Sequence, residues 1–330
     1  MPGGQALAVV ARLLPGGLRN GHLVDAGGEG QLTFGKKGKP RLRSRGAQAP
    51  GEAVVDNGQD REKKRYLALS RPFLRDLGVT DAHGALIPSL SRKWKQINKF
   101  IEVFDHALAS APVPAGQTLR VADFGSGKGY LTFAMHDYLR NTLAREAKVT
   151  GVELRQDMVE LCNAAAGRLE HPGLEFQCGD VRSVVPEAIE VMIALHACDI
   201  ATDYAIHTGI RCNAAIIMCS PCCHKQVRPQ LQSPGLLQPM LQYGLHLGQQ
   251  AEMLTDSLRA LYLEACGYET KVFEFISLEH TNKNKMILAV KRAEPGDPAR
   301  LLARIAELKA FYAISEQCLE TLLRADGLIS

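Results

Sequence analysis

The sequence predicts an α/β fold of the Rossmann-like kind, a seven-stranded sheet with helices on both faces. A basic N-terminal region precedes it and a C-terminal helix follows. Three observations predict this. Residues 119–130 read as an apolar strand ending in Asp123, a turn with glycines at alternate positions 125, 127 and 129, and the start of a helix-compatible segment over 131–143. Further on, apolar strand-length runs alternate with helical stretches, the pattern of a parallel sheet. The last two strands follow each other closely, which suits an antiparallel sixth and seventh strand.

Taken in order, residues 1–60 form a basic, Gly-rich region with 13 of the 30 glycines. A short helix is possible over 6–14, and strand-like pieces stand at 22–24 and 31–34. Lys36, Lys37, Lys39, Arg41, Arg43 and Arg45 then follow without an acid. This is either a small β-rich, RNA-contacting module or a poorly ordered arm. Residues 46–60 read as a linker. Residues 61–118 are a helical lead-in, with a helix starting near 61–65 and a clear one from Ser91. In the latter, Trp94, Ile97, Ile101, Phe104 and Leu108 recur at helical spacing, as a core-facing stripe does. The Ala-Pro-Val-Pro-Ala-Gly of 111–116 ends it.

Residues 119–295 hold the α/β domain. After the glycine turn come a strand over 148–154, a helix over 156–169, strands over 174–178 and 190–195, a helix over 201–208, and a strand over 214–219. An irregular Gln/Leu/Pro/Gly segment fills 226–250. A helix over 252–266 stops at Gly267, and strands over 268–276 and 285–291 close the set. The extension, 296–330, carries one helical pattern over 301–323 that covers the body.

Bulk composition narrows the function classes. With 46% apolar and 22% charged residues the chain is an ordinary globular protein, and no apolar run approaches the roughly 20 residues of a membrane span. Nine scattered cysteines lack the density of a disulfide scaffold, so a reducing cytoplasm is expected. The net charge of +4 is unevenly distributed: residues 1–118 carry 18 Lys+Arg against 10 Asp+Glu, and the remainder 21 against 25. A basic front end on a near-neutral body points to a polyanionic partner, nucleic acid first. No membrane association and no stable protein partner are expected.

Three patterns compete for the glycine turn. A P-loop needs Gly where Ala122 stands and Ser or Thr where Gly129 stands, so it fails. A dinucleotide fingerprint needs Gly at Tyr130. An acid two residues before Gly-x-Gly-x-Gly fits at every position, and it resembles motif I of the class I S-adenosylmethionine (SAM) methyltransferases. In such a fold Asp123, Gly125, Ser126, Gly127 and Gly129 form the cofactor turn, their N–H groups facing the methionine moiety. Glu153 ends the second strand, where an acid accepts ribose hydroxyls, and Asp180 ends the third, within reach of the adenine amino group. Gln96 and Lys99 are weaker candidates for the cofactor's carboxylate side.

The catalytic candidates cluster after the fourth and fifth strands. Asp199 is placed to act as general base or orienting acceptor near the transferred methyl, with His196 and His224 nearby. Asp203 is expected to cap the next helix or face solvent. Cys219, Cys222, Cys223 and His224 are spaced like a metal knuckle, with Cys198 or His196 able to supply another ligand. Adjacent cysteines seldom ligate one ion together and no second Cys-x-x-Cys exists, so no metal is expected. Ser220-Pro221-Cys222 lacks the aromatic of the base-amino methyltransferase box. Cys222 or Cys223 as a nucleophile adding to a pyrimidine, with His224 lowering the thiol pKa, is the alternative chemistry.

Assembled, the chain resembles a family of bacterial class I SAM-dependent methyltransferases. The matching stretches are Gln96-Ile-Asn-Lys-Phe, Asp123-Phe-Gly-Ser-Gly-Lys-Gly-Tyr-Leu-Thr-Phe, Leu195-His-Ala-Cys-Asp-Ile-Ala-Thr-Asp, Ser220-Pro-Cys-Cys-His-Lys and Glu279-His-Thr-Asn-Lys-Asn-Lys-Met. They span about residues 70–292. The His-Ala-Cys-Asp-Ile-Ala-Thr-Asp and Pro-Cys-Cys-His-Lys elements are also similar to those of tRNA 2′-O-methyltransferases and of rRNA-dimethylase-related methyltransferase-like proteins. The resemblance implies the class I fold, SAM as cofactor and, by analogy, a tRNA or rRNA substrate methylated on a ribose hydroxyl or base. A protein or small-molecule methyltransferase, and a SAM-binding protein without turnover, are the other readings.

Overall fold

The computed structural model describes residues 14, 18, 20–25, 28–34, 39–46, 65–184, 186–195, 197–275, 284–294 and 296–330. The expected helix over 6–14, the linker of 46–60, the helix start at 61–65 and His196 fall wholly or almost wholly outside them. The chain divides into two compact units, Met1–Lys63 and Lys64–Ser330.

The first unit holds three antiparallel strands in the order β1 (Asn20–Asp25), β2 (Gly28–Phe34), β3 (Pro40–Gly46). The first two widen the strand-like pieces expected from sequence. The third takes up the later part of the cationic run, Arg41, Arg43 and Arg45. Its period of two was masked because Arg41 and Arg43 stand where a strand usually shows apolar residues. Arg41 pairs opposite Thr33 and Arg43 opposite Gln31. All of Lys39–Arg43 is exposed.

In the second unit the helices Pro72–Asp76 and Ser91–Ser110 lead into β4 (Leu119–Phe124). Then follow helix Tyr130–Asp137, β5 (Ala147–Glu153), helix Gln156–Arg168, β6 (Leu174–Cys178) and β7 (Val191–Ala194). Helix Ile200–Arg211, β8 (Ile216–Cys219), helix Gly244–Ala265, β9 (Tyr268–Glu274) and β10 (Lys285–Lys291) complete the sheet. Its order is β6-β5-β4-β7-β8-β10-β9. The first five strands are parallel, and β10 lies antiparallel between β8 and β9. The reversal at β4/β7 is a topological switch point, where open α/β sheets carry their ligand.

Strand alternation builds two cores. Val121, Val191, Ile193, Ile216 and Met218 face one way and pack with Trp94, Ile97, Ile101 and Phe104, confirming the core role of that stripe. Ala122, Met192, Ala194, Ile217 and Cys219 face the other way, under helices Ile200–Arg211 and Gly244–Ala265. No helix stands between β6 and β7 among the described residues. A groove of about 600 Å³ is therefore left along β4–β6, lined by Arg120, Lys148, Thr150, Glu175 and Gln177. The alternation of these polar residues with Val149, Gly151, Leu174 and Phe176 is why both strands are legible as half-buried.

The single helix expected over 301–323 is two, Pro298–Tyr312 and Cys318–Ala325. Ala313 takes a left-handed conformation (φ 55°), a break that no residue type announces. Both helices contribute apolar side chains, Ile305, Leu319 and Leu323, to the second core.

Candidate functional site

A cavity of about 420 Å³ opens at the carboxyl ends of β4, β5, β6 and β7. Its floor begins with the glycine turn. Gly125, Gly127 and Gly129 have φ of 78°, 56° and 69°, a region that side chains with a Cβ avoid, which is why three glycines alternate here. Gly125 and Ser126 donate their N–H groups to Val152 O across the sheet (2.8 and 3.1 Å).

Glu153 lines the cavity, and its carboxylate accepts from Gly127 N (2.9 Å) and Arg155 N (3.1 Å). The acid that ends the second strand thus also fixes the glycine turn. Asp180 and Arg182 form the far wall. Asp180 Oδ1 accepts from Arg182 N (2.8 Å) and Ser183 N (3.0 Å), and Oδ2 from the Arg182 guanidinium (2.6 Å). These bonds, the side-chain bond to Arg182 first, hold its pKa below the ordinary carboxylate value. Val152, Val181, Ala197, Ile200, Ala201 and Tyr204 supply apolar wall.

Of the expected cofactor residues, Gly125, Gly127, Glu153 and Asp180 line the cavity. Asp123, Ser126 and Gly129 stand behind it. Asp123 is buried and accepts from Thr132 Oγ1 (2.6 Å). Burial pushes its pKa up to about 6, against that bond and with a smaller contribution from Glu153. The Ser126 hydroxyl is buried without a hydrogen-bond partner. Gln96 and Lys99 pair along their own helix, with Lys93 and Glu102.

The loops after β7 and β8 meet at the cavity mouth. Asp199 sits at φ 54°, ψ −124°, unusual for a residue with a side chain. Its Oδ1 accepts from Lys225 N (2.8 Å), which ties the two loops together, and its carbonyl accepts from Arg259 Nη2 (2.9 Å). Arg259 is buried and grips Asp203 through Nε (3.0 Å) and Nη2 (2.7 Å), and Gln317 Nε2 donates to the same carboxylate (2.8 Å). Asp203 therefore does not face solvent. Its place one turn into helix Ile200–Arg211, toward helix Gly244–Ala265, buries it, and Arg259 supplies the countercharge. Sequence reasoning missed Arg259, although a cation amid Leu254, Leu258, Ala260, Tyr262 and Leu263 is the signal of a buried pair. Tyr204 was missed as well.

Cys198, Cys222 and Cys223 converge. Cys198 Sγ lies 3.1 Å from Cys222 Sγ, which lies 3.5 Å from Cys223 Sγ. Burial, then hydrogen bonds to the other two thiols, pushes the Cys222 pKa up to about 12. Cys219 is apart from them, buried at the end of β8 with its thiol likewise pushed up to about 12. His224 is half-buried beside Cys223.

Residues 92–230 match the protein family described as a methyltransferase domain, over the stretch that carries the cavity. Curated relatives of this chain include the glutathione S-transferase C-terminal domain-containing proteins of Homo sapiens and Macaca fascicularis. Each is 24% identical over 228 residues, which cover 60% of this chain and 33% of the relative. The chain thus spans about a third of their length. Similar solved structures include the DszA carbon methyltransferase (13% identity, TM-score 0.38, 66% of this chain and 56% of that one). Others are the YcgJ protein of Bacillus subtilis (14%, 0.33, 59% and 99%) and M. jannaschii TYW2 in complex with AdoMet (10%, 0.35, 58% and 74%).

Proposed function

We propose that this chain is a SAM-dependent methyltransferase that modifies RNA, moving the SAM methyl to a ribose hydroxyl or base held where the loops after β7 and β8 meet. The observation that carries the donor half is the 420 Å³ cavity whose polar lining includes a positive-φ glycine turn and two strand-end carboxylates. Those residues fit SAM. The turn, with no side chain at its three glycines, lets the methionine moiety approach the backbone closely, Glu153 accepts the ribose hydroxyls, and Tyr204 and Val181 supply apolar contact for adenine. SAM supplies an electrophilic methyl on a sulfonium. The chain's part is to exclude water, orient the acceptor and take its proton.

For the acceptor side, Asp199 is the orienting group, its carboxylate and carbonyl fixed between Lys225 and Arg259. His196 and His224 are the candidates to receive the proton. Nucleophilic addition by Cys222 is less well supported, because a thiol with a pKa of about 12 is protonated at neutral pH.

RNA as substrate is supported by the excess of 18 cations over 10 acids in residues 1–118, and by Arg41 and Arg43 on an exposed strand. Residues on alternate positions of a strand share a face and stand about 7 Å apart, so both guanidinium groups can meet one phosphate backbone. The test is transfer of labelled methyl from SAM to an extract of cells lacking the gene, followed by separate RNase and protease digestion. RNase-sensitive label is expected. Label released only by protease overturns the RNA reading.

A further inference from the structure

Three cysteines that neither cofactor binding nor acceptor orientation uses lie together at the cavity mouth. Cys198 is on the loop after β7 and lines the cavity, while Cys222 and Cys223 follow β8. Among the described residues this is the one group of three potential ligands whose donor atoms all lie within 4.8 Å of one another. We propose that Cys198, Cys222 and Cys223 form a three-thiolate site for a thiophilic divalent cation of the zinc type, with its fourth position open to solvent at the cavity mouth.

The geometry supports a cation more directly than a set of resting thiols. A tetrahedral zinc ion with Zn–S bonds of about 2.3 Å holds its sulfurs about 3.8 Å apart. The observed separations of 3.1 and 3.5 Å are both shorter than this, so the sulfurs have to part by only a few tenths of an ångström to take the ion between them. A thiol is a weak donor and a weak acceptor, so three in mutual contact gain little from one another. The same three sulfurs gain much from a shared cation. The strand-end placement also explains why adjacent cysteines serve here: Cys222 and Cys223 leave β8 in an irregular loop rather than a helix or strand, which frees both side chains to turn toward Cys198.

On binding, each ligating thiol releases its proton to solvent, so three protons leave and three sulfur–metal bonds form. The site then carries one net negative charge. A cation held this way cross-links the β7 and β8 loops, as the bond from Lys225 N to Asp199 does from the other side. Water fills the fourth position until an acceptor atom displaces it, the arrangement of zinc sites that keep an exchangeable ligand.

The test uses the full chain, reduced and stripped of metal, then titrated with Co²⁺ and separately with Zn²⁺. One cation per chain is expected, with the near-ultraviolet charge-transfer band of a cobalt–thiolate site. Loss of an outer-sphere partner already costs a metal site about 10–100-fold in affinity, so Cys198→Ser and Cys222→Ser are expected to lose at least that much. Cys162→Ser and Cys266→Ser, at cysteines outside the cluster, are expected to bind as wild type does. Unchanged far-ultraviolet circular dichroism of each variant establishes that it is folded. Absence of the band in reduced wild type overturns the site, as does undiminished affinity in folded Cys198→Ser or formation of a Cys198–Cys222 disulfide in place of metal uptake. None of these outcomes depends on the identity of the methyl acceptor.

Discussion

Asp123 carries a charge where the fold makes charge expensive. Burial holds its pKa near 6, above the 3.8 of an ordinary aspartate, so the native chain binds a proton that the unfolded chain releases. Between about pH 4 and 6 stability therefore falls as pH rises, and above that window the cost is constant. Asp256 is pushed up to about 6 by burial in the same way. Asp123→Asn is expected to remove part of this slope, read from urea unfolding at pH 4.5 and 6.5, while Asp256 retains the rest. An unchanged slope would contradict the assignment. Arg259 is the opposite case: burial works against its charge, yet Asp203 and Asp256 hold the guanidinium pKa above its ordinary value. Arg259→Met leaves the Asp203 carboxylate buried without its countercharge, and a loss of about 3–5 kcal/mol in chemical unfolding is expected. These buried partners were the least legible part of the site. Asp203 reads in sequence as a polar residue near a helix start, and only the packing of two distant helices shows that it must be paired.

The glycine turn and the strands around it were the most legible elements. Positive φ at three alternate positions admits few residues but glycine, so the pattern is written in residue types. Gly151, inside β5, has a different reason. A Cβ there would stand 2.4 Å from Phe176 Cδ1, and one on Gly129 would stand 2.9 Å from Phe176 Cζ. Phe176 thus lies across both glycines and presses β6 onto the turn. Gly151→Ala is expected to cost about 1–3 kcal/mol through this overlap, measured as a fall in the urea midpoint. Phe176→Leu in the same background is expected to restore part of it. Element ends were less legible than elements. The helix expected from 252 starts at Gly244, because Gly, Gln and His over 244–250 dilute the apolar spacing. The break at Ala313 serves tertiary bonds: Ser315 N and Glu316 N donate to Gln230 Oε1 (3.1 and 2.9 Å), and Gln317 reaches Asp203. A contact between segments more than 80 residues apart leaves no local signature.

At the scale of the whole molecule, charge is partitioned between the ends of the chain. The three-stranded unit presents Lys39, Arg41 and Arg43 exposed, and the sheet that bears the cavity is near neutral. Charge counting led to the expectation of a polyanionic partner, and that Arg41 and Arg43 stand on a paired strand emerged only from the register of β2 with β3. If RNA phosphates meet this strand, affinity falls steeply with salt. The double variant Arg41→Ala, Arg43→Ala is then expected to lower the log–log salt slope by about 1–2, measured by filter binding. A slope equal to wild type would remove the strand from the interface. Donor placement rests instead on the cavity at the ends of β4–β7. The most direct measurement is calorimetric titration of SAM into wild type and Glu153→Gln. Binding at one site per chain is predicted, weakened about 10–100-fold in the variant by loss of a charged acceptor. Equal affinity in the two proteins would contradict it.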